Sequence, residues 1–557
     1  MASAPSPHSQ TAPHSMAGKP RVLVTDNIHP SAVAILEDVA DVTFEKSLSH
    51  EALLACIGDF DGLMIRSASR VSADALAVAG RLKIVGRAGV GVDNIDLPQA
   101  THHGVIVVNS PEGNTIAASE HTVGLLMSLA RHIPEADASM KTGEWKRSQL
   151  TGVELAGKTL GVIGLGKIGA RVAKVCRALG MRVLVHDPFL AATRADELGV
   201  KIVTLDDIWR ESDFITIHAP KTRETLNLLN AQTLAQCKPG VRIINCARGG
   251  IINEADLAEA IRNGHVAAAA IDVFSAEPAP ADCPLLTLGS RVVLTPHLGA
   301  STEEAQINVA LDVAKQLRDF FREGFAQNAV NIPMLRKEAL DPVKHLMPMA
   351  ETLGALARQI AKGGAQSVEL TAKGAALASL DTAPLMLAAL KGLLSQSREG
   401  VNYVNAPLIA EESGVALKQS SVKTLDSYQN LLEVTLTTDR RAYRVAATHL
   451  HGDAYRIVDV DEYAVSLAPT EHVLFTPHED RPGMVGMTAS LLGAQHINIS
   501  AMQVARRQGT RTAGGESLMI FSLDGPVDDA TLAALRAQPG IYAAVYAHLP
   551  VSQNDRA

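Results

Sequence analysis

Cysteine, aromatic side chains, positive charge and long apolar runs are all scarce in this 557-residue chain. The five cysteines (Cys56, Cys176, Cys237, Cys246, Cys283) form no CxxC pair and share no ligand spacing with histidine. That argues against a disulfide framework and against a structural zinc site, so no metal is expected. Scattered thiols suit a reducing cytoplasm. Aromatic residues are only 3% of the chain, too few for base-stacking platforms along single-stranded nucleic acid. Basic side chains number 51 against 59 acidic ones, a net of -8 and the wrong sign for a phosphate-backbone binder. No apolar run approaches the roughly 18 residues that cross a bilayer, so neither nucleic acid nor membrane is an expected partner. The opening MASAPSPHSQTAPHSMAGKP has no apolar stretch, unlike a secretory signal. Residues 1–19 are expected to be a disordered extension.

At roughly 150 residues per domain, the length suggests three or four domains. From Arg21, short apolar runs (RVLVT, GLMIR, KIVGRAG, GVIVV) alternate with segments of helical period. A second such region runs from Lys158 to about Pro296. Alternation of this kind predicts parallel sheets covered by helices. Residues 115–133 read as one long apolar helix joining two lobes, and 301–324 as another, closed by Gly324. From about 333 to 470 the composition shifts to Ala, Leu, Ser and Thr, without a chemical motif. From Glu471 the order is β-α-β-β-α-β, the ferredoxin-like arrangement.

KTLGVIGLGKIGARVAKVCRALG (158–180) is a strand, a glycine turn and a helix. Gly164 permits the tight turn, Gly166 lets a pyrophosphate approach the backbone, and Gly169 packs helix on strand. Free N–H groups at the helix start attract the anion. Asp187 closes the next strand, where a carboxylate accepts both ribose hydroxyls and repels a 2′-phosphate. The expected cofactor is NAD.

Three polar sets follow at the ends of apolar strands: Arg248 after VRIINCA, Asp272 and Glu277 in IDVFSAEP, and His297 in LTPHLGA. Strand ends of an open parallel sheet are where ligands bind. A histidine near neutral pKa can take a hydroxyl proton, with a carboxylate such as Glu277 fixing its tautomer. Arg248 can hold a carboxylate and polarise a carbonyl. Asp272 is expected on the nicotinamide side of the cleft.

GLGKIG, HDP, NCARGG, DVFSAEP and TPHLGAST together resemble the D-isomer-specific 2-hydroxyacid dehydrogenases. The resemblance implies Arg248, Glu277 and His297 as catalytic arginine, glutamate partner and proton-transferring histidine. It implies cofactor contacts at Lys167, Ile168, Asp187, Ala219, Cys246, Ala247, Arg248 and Asp272, and along the loop His297, Leu298, Gly299 and Ala300. It further implies a Rossmann-like cofactor domain (116–301) inserted in a flavodoxin-like α/β substrate domain (20–115 and 302–331). An α+β intervening domain (332–470) and a ferredoxin-like βαββαβ domain (471–557) complete the expected fold.

That family includes enzymes for lactate, glycerate, formate and phosphoglycerate, so the triad alone does not choose. Arg66 and Arg87 end apolar strands and, with Asn114 of NSPEGNT, are the expected substrate contacts. Val90 stands where relatives often carry Thr. HEDRPGMVG and INIS in the tail resemble the ACT regulatory module, which commonly binds amino acids at paired subunit interfaces. Core and tail together point by resemblance to oxidation of 3-phosphoglycerate, with L-serine as feedback effector contacting His478, Asp480 and Asn498. Resemblance also implies a homo-oligomer, dimer or tetramer. A hydroxypyruvate or glyoxylate reductase with a regulatory tail is one alternative, and a non-catalytic NAD-sensing corepressor is another. A second anionic effector at Arg440, Arg441 and Arg444 competes with a plain solvated face.

Overall fold

The computed structural model describes residues 18–550 apart from 191, 325, 327, 333–336, 426–427, 452–453 and 508–514. Residues 1–17 of the expected N-terminal extension lie outside the described residues. Among those described, no helix is long and apolar enough to cross a membrane.

The first lobe is a five-stranded parallel sheet in the order Asp41–Phe44, Arg21–Val24, Gly62–Ile65, Ile84–Arg87 and Ile106–Asn109. Apart from the exposed edge Asp41–Phe44, its strands are apolar runs because both faces are covered. The helix Glu303–Glu323 returns to this sheet, its start capped by Thr302 and its end closed by Gly324 at φ 78°. Glycines in the strands make room for it. A Cβ at Gly86 would stand 2.5 Å from both Val313 and Leu317. The amide of Gln316 in the same helix donates to the Asn109 carbonyl at 2.9 Å. Asn331 extends the edge strand with a side chain, accepting from Val107 N–H and donating to the Val105 carbonyl, both at 2.9 Å.

The second lobe is a seven-stranded parallel sheet ordered Val292–Leu294, Val266–Ile271, Val241–Asn245, Phe214–Ile217, Thr159–Ile163, Arg182–His186, Lys201–Ile202. Strand order reverses between Thr159–Ile163 and Phe214–Ile217. That switch point opens a crevice at the carboxyl ends of the strands.

The expected helix 115–133 is present, ending just short of its expected bound, and a second helix follows it directly. Thr115–Arg131 stops at His132, which adopts a left-handed φ of 52°, and Ile133–Lys141 begins anew with Pro134 in its first turn. A proline can start a helix but lacks the N–H to continue one, so the break falls just before it.

Residues 337–467 pack two helices, Met347–Ile360 and Ala383–Leu394, against a mixed six-stranded sheet. The helices approach so closely that a Cβ at Gly354 would lie 1.9 Å from the Ala389 carbonyl oxygen. The tail is a four-stranded antiparallel sheet ordered Ile499–Arg506, Glu516–Leu523, His472–Glu479, Val545–His548, with helices Met484–Ala494 and Asp529–Arg536. Gln359 joins the last two units, donating to the His548 carbonyl and accepting from its N–H at 2.9 and 2.8 Å. One apolar cluster runs from Val22 and Leu317 through Leu353 and Leu387 to Phe475 and Ala547.

Candidate active site

The glycine turn sits at the switch point. Gly164 has φ 89°, and a Cβ there would come within 2.7 Å of the His218 carbonyl oxygen. A Cβ at Gly169 would meet the Gly164 carbonyl oxygen at 2.2 Å, so helix and turn touch backbone to backbone. Gly166 is different. It stands at the N-terminus of the helix Lys167–Ala178, and a Cβ there would meet nothing within 4 Å. An open, uncapped helix start with free N–H groups suits a pyrophosphate. Asp187 holds the turn, accepting from Leu165 N–H at 2.8 Å through one oxygen and from Phe189 N–H at 2.9 Å through the other. Each oxygen keeps a lone pair for a ribose hydroxyl. These residues fit a dinucleotide. Ile168 follows Lys167 in the helix, and Ala219 follows the strand end beside Gly164. Lys167 pairs with Glu112 of the first lobe. His218, behind the turn, is neutral because burial holds its imidazole down to about 4.

The loops after three neighbouring strands carry the reactive groups. Asn245 ties the turn holding Cys246 and Ala247 by accepting from Ala247 N–H and donating to the Arg248 carbonyl, both at 3.0 Å. Asp272 N–H donates to the Asn245 carbonyl at 3.0 Å, and His297 N–H to the Asp272 carbonyl at 2.9 Å. His297 is held at φ 57°, and its Nδ1 faces Glu277 Oε2 at 2.7 Å. The other Glu277 oxygen accepts from Phe274 N–H at 3.0 Å. Nδ1 is therefore the protonated nitrogen at rest, and Nε2 is left to accept a proton.

Asp272 is fully buried. Burial is the largest influence and pushes its carboxyl upward. Hydrogen bonds from His121, Thr295 and Leu298 N–H outweigh it and hold the group below the usual carboxylate value. Gly299 N–H adds a bond at 2.9 Å. Leu298 and Gly299 thus belong to the loop that presents His297, with Ala300 following. Burial pushes the neighbouring Cys246 thiol up to about 12, so it stays protonated. His121, Cys246 and Asp272 place one potential metal-ligand atom each within 4.8 Å of one another, and His121 Nε2 is bonded directly to Asp272 Oδ1.

Guanidinium groups converge from both lobes. Arg248 reaches Asp93 at 3.3 Å and lies so near Gly91 that a Cβ there would be 2.6 Å from its Nη2. Arg87 lies over Gly89 in the same way. Burial first, then repulsion from Arg248 and Arg66, holds the Arg87 guanidinium down to about 10. Its Nε is buried without a partner among the described residues. Arg66 is fixed through its backbone: its N–H donates to Asp26 at 2.8 Å and its carbonyl accepts from Asn94 at 2.7 Å. Like charges gathered in one cleft define an anion site. Asn114 precedes the helix Thr115–Arg131 without capping it, and its Oδ1 is buried with no partner. His121, Thr295, Asp93 and Asp26 are the residues of this site that motif reading overlooks.

In the tail, Asp480 pairs with Arg506 at 2.7 Å and Asn498 donates to Asp524 at 2.6 Å. His478 is buried, its Nδ1 3.1 Å from the Thr476 carbonyl. Sheet register pairs His478 with Ser517 but puts Asn498 beyond Ile499, which pairs with Leu523. Six residues of strand, about 20 Å, separate the two ends. One chain does not bring the three together. Arg441 is held bidentately by Asp461 at 2.7 and 2.6 Å, and Arg444 pairs with Asp459 at 3.2 Å.

Fold and cleft define an NAD-linked dehydrogenase of 2-hydroxy acids. Residues 123–299 match the D-isomer specific 2-hydroxyacid dehydrogenase NAD binding domain, 342–461 the D-3-phosphoglycerate dehydrogenase intervening domain, and 472–540 the ACT domain. The chain is 45% identical to the D-3-phosphoglycerate dehydrogenase of Synechocystis over 94% of its length and 93% of that protein's. It is 43% identical to that of Bacillus subtilis, over 88% and 92%. The chain belongs to the D-3-phosphoglycerate dehydrogenase family. Among solved structures, a Thermus thermophilus protein aligns at 33% identity and TM-score 0.51 over 56% of this chain and 99% of its own. An NAD-dependent formate dehydrogenase from Staphylococcus aureus, solved with NAD, aligns at 30% and TM-score 0.50 over 55% and 97%.

Proposed function

We propose that this chain oxidises 3-phospho-D-glycerate to 3-phosphohydroxypyruvate with NAD, the first step of L-serine biosynthesis. The observation that carries this reading is the 2.7 Å pair of Glu277 and His297 at the strand ends, together with the clustered guanidinium groups of Arg66, Arg87 and Arg248. When bound, NAD supplies the hydride acceptor. His297 Nε2 takes the hydroxyl proton, and Glu277 stabilises the imidazolium that forms. Arg248 holds the substrate carboxylate and polarises the developing carbonyl. Arg87 and Arg66 take the remaining anionic charge, with Asn114 as a neutral contact. Asp187 selects NAD over NADP by its charge, which disfavours the reductase alternative. A sensor that performs no chemistry has no need of a histidine held by a carboxylate.

We assign residues 20–115 with 302–331 to the substrate domain, 116–301 to the cofactor domain, 332–470 to the intervening domain and 471–557 to the ACT domain. L-serine is the proposed effector. Because Asn498 lies at the far end of the sheet from His478 and Asp480, a shared ligand requires two tails from two copies of the chain. A homo-oligomer, dimer or tetramer, follows from that reading. The described cysteines are free thiols, which fits a cytoplasmic enzyme. The test is a steady-state assay of the purified protein with 3-phosphoglycerate, glycerate and lactate, each with and without serine. Preference for lactate or glycerate would overturn the substrate assignment.

A further inference from the structure

The helix Thr115–Arg131 comes between the lobes, and one of its side chains reaches the reactive loops. His121 Nε2 lies 3.1 Å from Asp272 Oδ1 and 3.3 Å from Thr295 Oγ1. Thr295 gives its own proton to Asp272 Oδ1 at 2.6 Å. Nε2 must therefore carry hydrogen, shared between the carboxylate and a hydroxyl lone pair. Leu298 N–H completes the set on Oδ1 at 2.7 Å, while Oδ2 accepts, among the described residues, only from Gly299 N–H at 2.9 Å.

A carboxylate offers about four lone-pair sites, two on each oxygen. Three donors crowd Oδ1 and one occupies Oδ2, so the free acceptor position is on Oδ2. The arrangement is buried on the carboxylate side and only 22% exposed on the imidazole side, where hydrogen bonds are strong and directional. Three of the four donors, Thr295, Leu298 and Gly299, come from the loop that carries His297. The fourth, His121, comes from a separate helix, so it alone sets the carboxylate against something outside that loop.

We infer that His121 is a positioning residue which, by saturating Asp272 Oδ1, turns the free Oδ2 lone pair toward the carboxamide N–H of bound nicotinamide. This rests on the proposed NAD-linked function and on the expectation from the sequence that the nicotinamide lies beside Asp272. His121 touches neither substrate nor cofactor and acts through Asp272.

The inference is tested by fluorescence titration of NADH and of its 3-acetylpyridine analogue, which has a methyl ketone in place of the carboxamide and no N–H to donate. Proteins to compare are wild type, His121→Leu, His121→Gln and Asp272→Asn. For His121→Leu, NADH affinity should fall about tenfold, as for one buried charge-assisted hydrogen bond. Affinity for the analogue should change less than about twofold, and KM for 3-phosphoglycerate should hold. The amide of His121→Gln can donate from a similar position and should restore most of the loss. Equal weakening toward both dinucleotides would show a merely structural role and overturn the inference, as would unchanged NADH binding. Asp272→Asn separates the two levels. If it fails to alter the ratio of NADH to analogue affinity, the nicotinamide placement itself is wrong. If it alters the ratio while His121→Leu does not, only the positioning role falls.

Discussion

Glu277 divides its two carboxylate oxygens between the chain and the reaction: one accepts from Phe274 N–H at 3.0 Å and the other meets His297 Nδ1 at 2.7 Å. A base held this way has one orientation and one tautomer before substrate arrives. Electrostatic help to the imidazolium then needs no rearrangement during turnover.

Glu277→Gln should therefore keep the fold and NADH affinity while kcat falls by about 10²- to 10⁴-fold, the range for a lost general-base partner. His297→Ala should fall at least as far. Stopped-flow or steady-state kinetics beside an NADH titration decide it. Near-normal turnover in His297→Ala would remove the imidazole from the mechanism.

Asp187→Ala should relax cofactor choice. The carboxylate braces Leu165 N–H of the glycine turn as well as facing the ribose position, so NAD affinity should drop too. The ratio of kcat/KM for NAD to that for NADP should fall by at least about tenfold, roughly one charge-assisted contact. An unchanged ratio would contradict the ribose role.

Much of this site is legible in the sequence because its chemistry sits at strand ends, where short apolar runs stop and polar residues begin. GLGKIG, NCARGG and TPHLGA each mark such an end. His121 was not legible: it lies mid-helix, and only lobe packing brings it to Asp272. The strand Asp41–Phe44 escaped notice because it is a short, largely exposed edge with no apolar run. Asn498 and Asp480 look close in sequence, yet the helix Met484–Ala494 between them carries the chain to the opposite end of the sheet. The stop at His132 has a visible signal in Pro134, which begins the next helix.

Arg87 predicts a trade between stability and function. Its folded value, about 10, lies below its ordinary 12.5, so in the window between them the unfolded chain binds more protons. By linkage, stability rises with pH across that window, and below it the buried charge opposes folding at a constant level. Arg87→Met should raise Tm at pH 7 by a few degrees, of the order expected for about 1 kcal/mol. It should also raise KM for 3-phosphoglycerate by at least about tenfold. In wild type, 3-phosphoglycerate should raise Tm by supplying the missing counter-charge. A variant that is less stable with normal KM would show that Arg87 is structural.

Gln359 gives the last prediction. Its amide replaces a strand edge, exchanging two hydrogen bonds with the backbone of His548, and Thr352 supports the same seam by donating to the Pro550 carbonyl at 3.0 Å. Apolar residues of the tail, Val473, Phe475 and Ala547, share a core with the helix carrying Gln359. Removing residues 472–557 would uncover that face, so truncation should destabilise what remains and confuse any test of serine regulation. Gln359→Ala is milder, costing about 1–2 kcal/mol from two partly exposed bonds. Hydrogen exchange in Val545–His548 should speed up while kcat without serine stays within about twofold, since the seam is remote from the cleft. If serine signals through this seam, its inhibition should weaken in the same variant. Full inhibition with a loosened strand would place the route between tail and active site elsewhere.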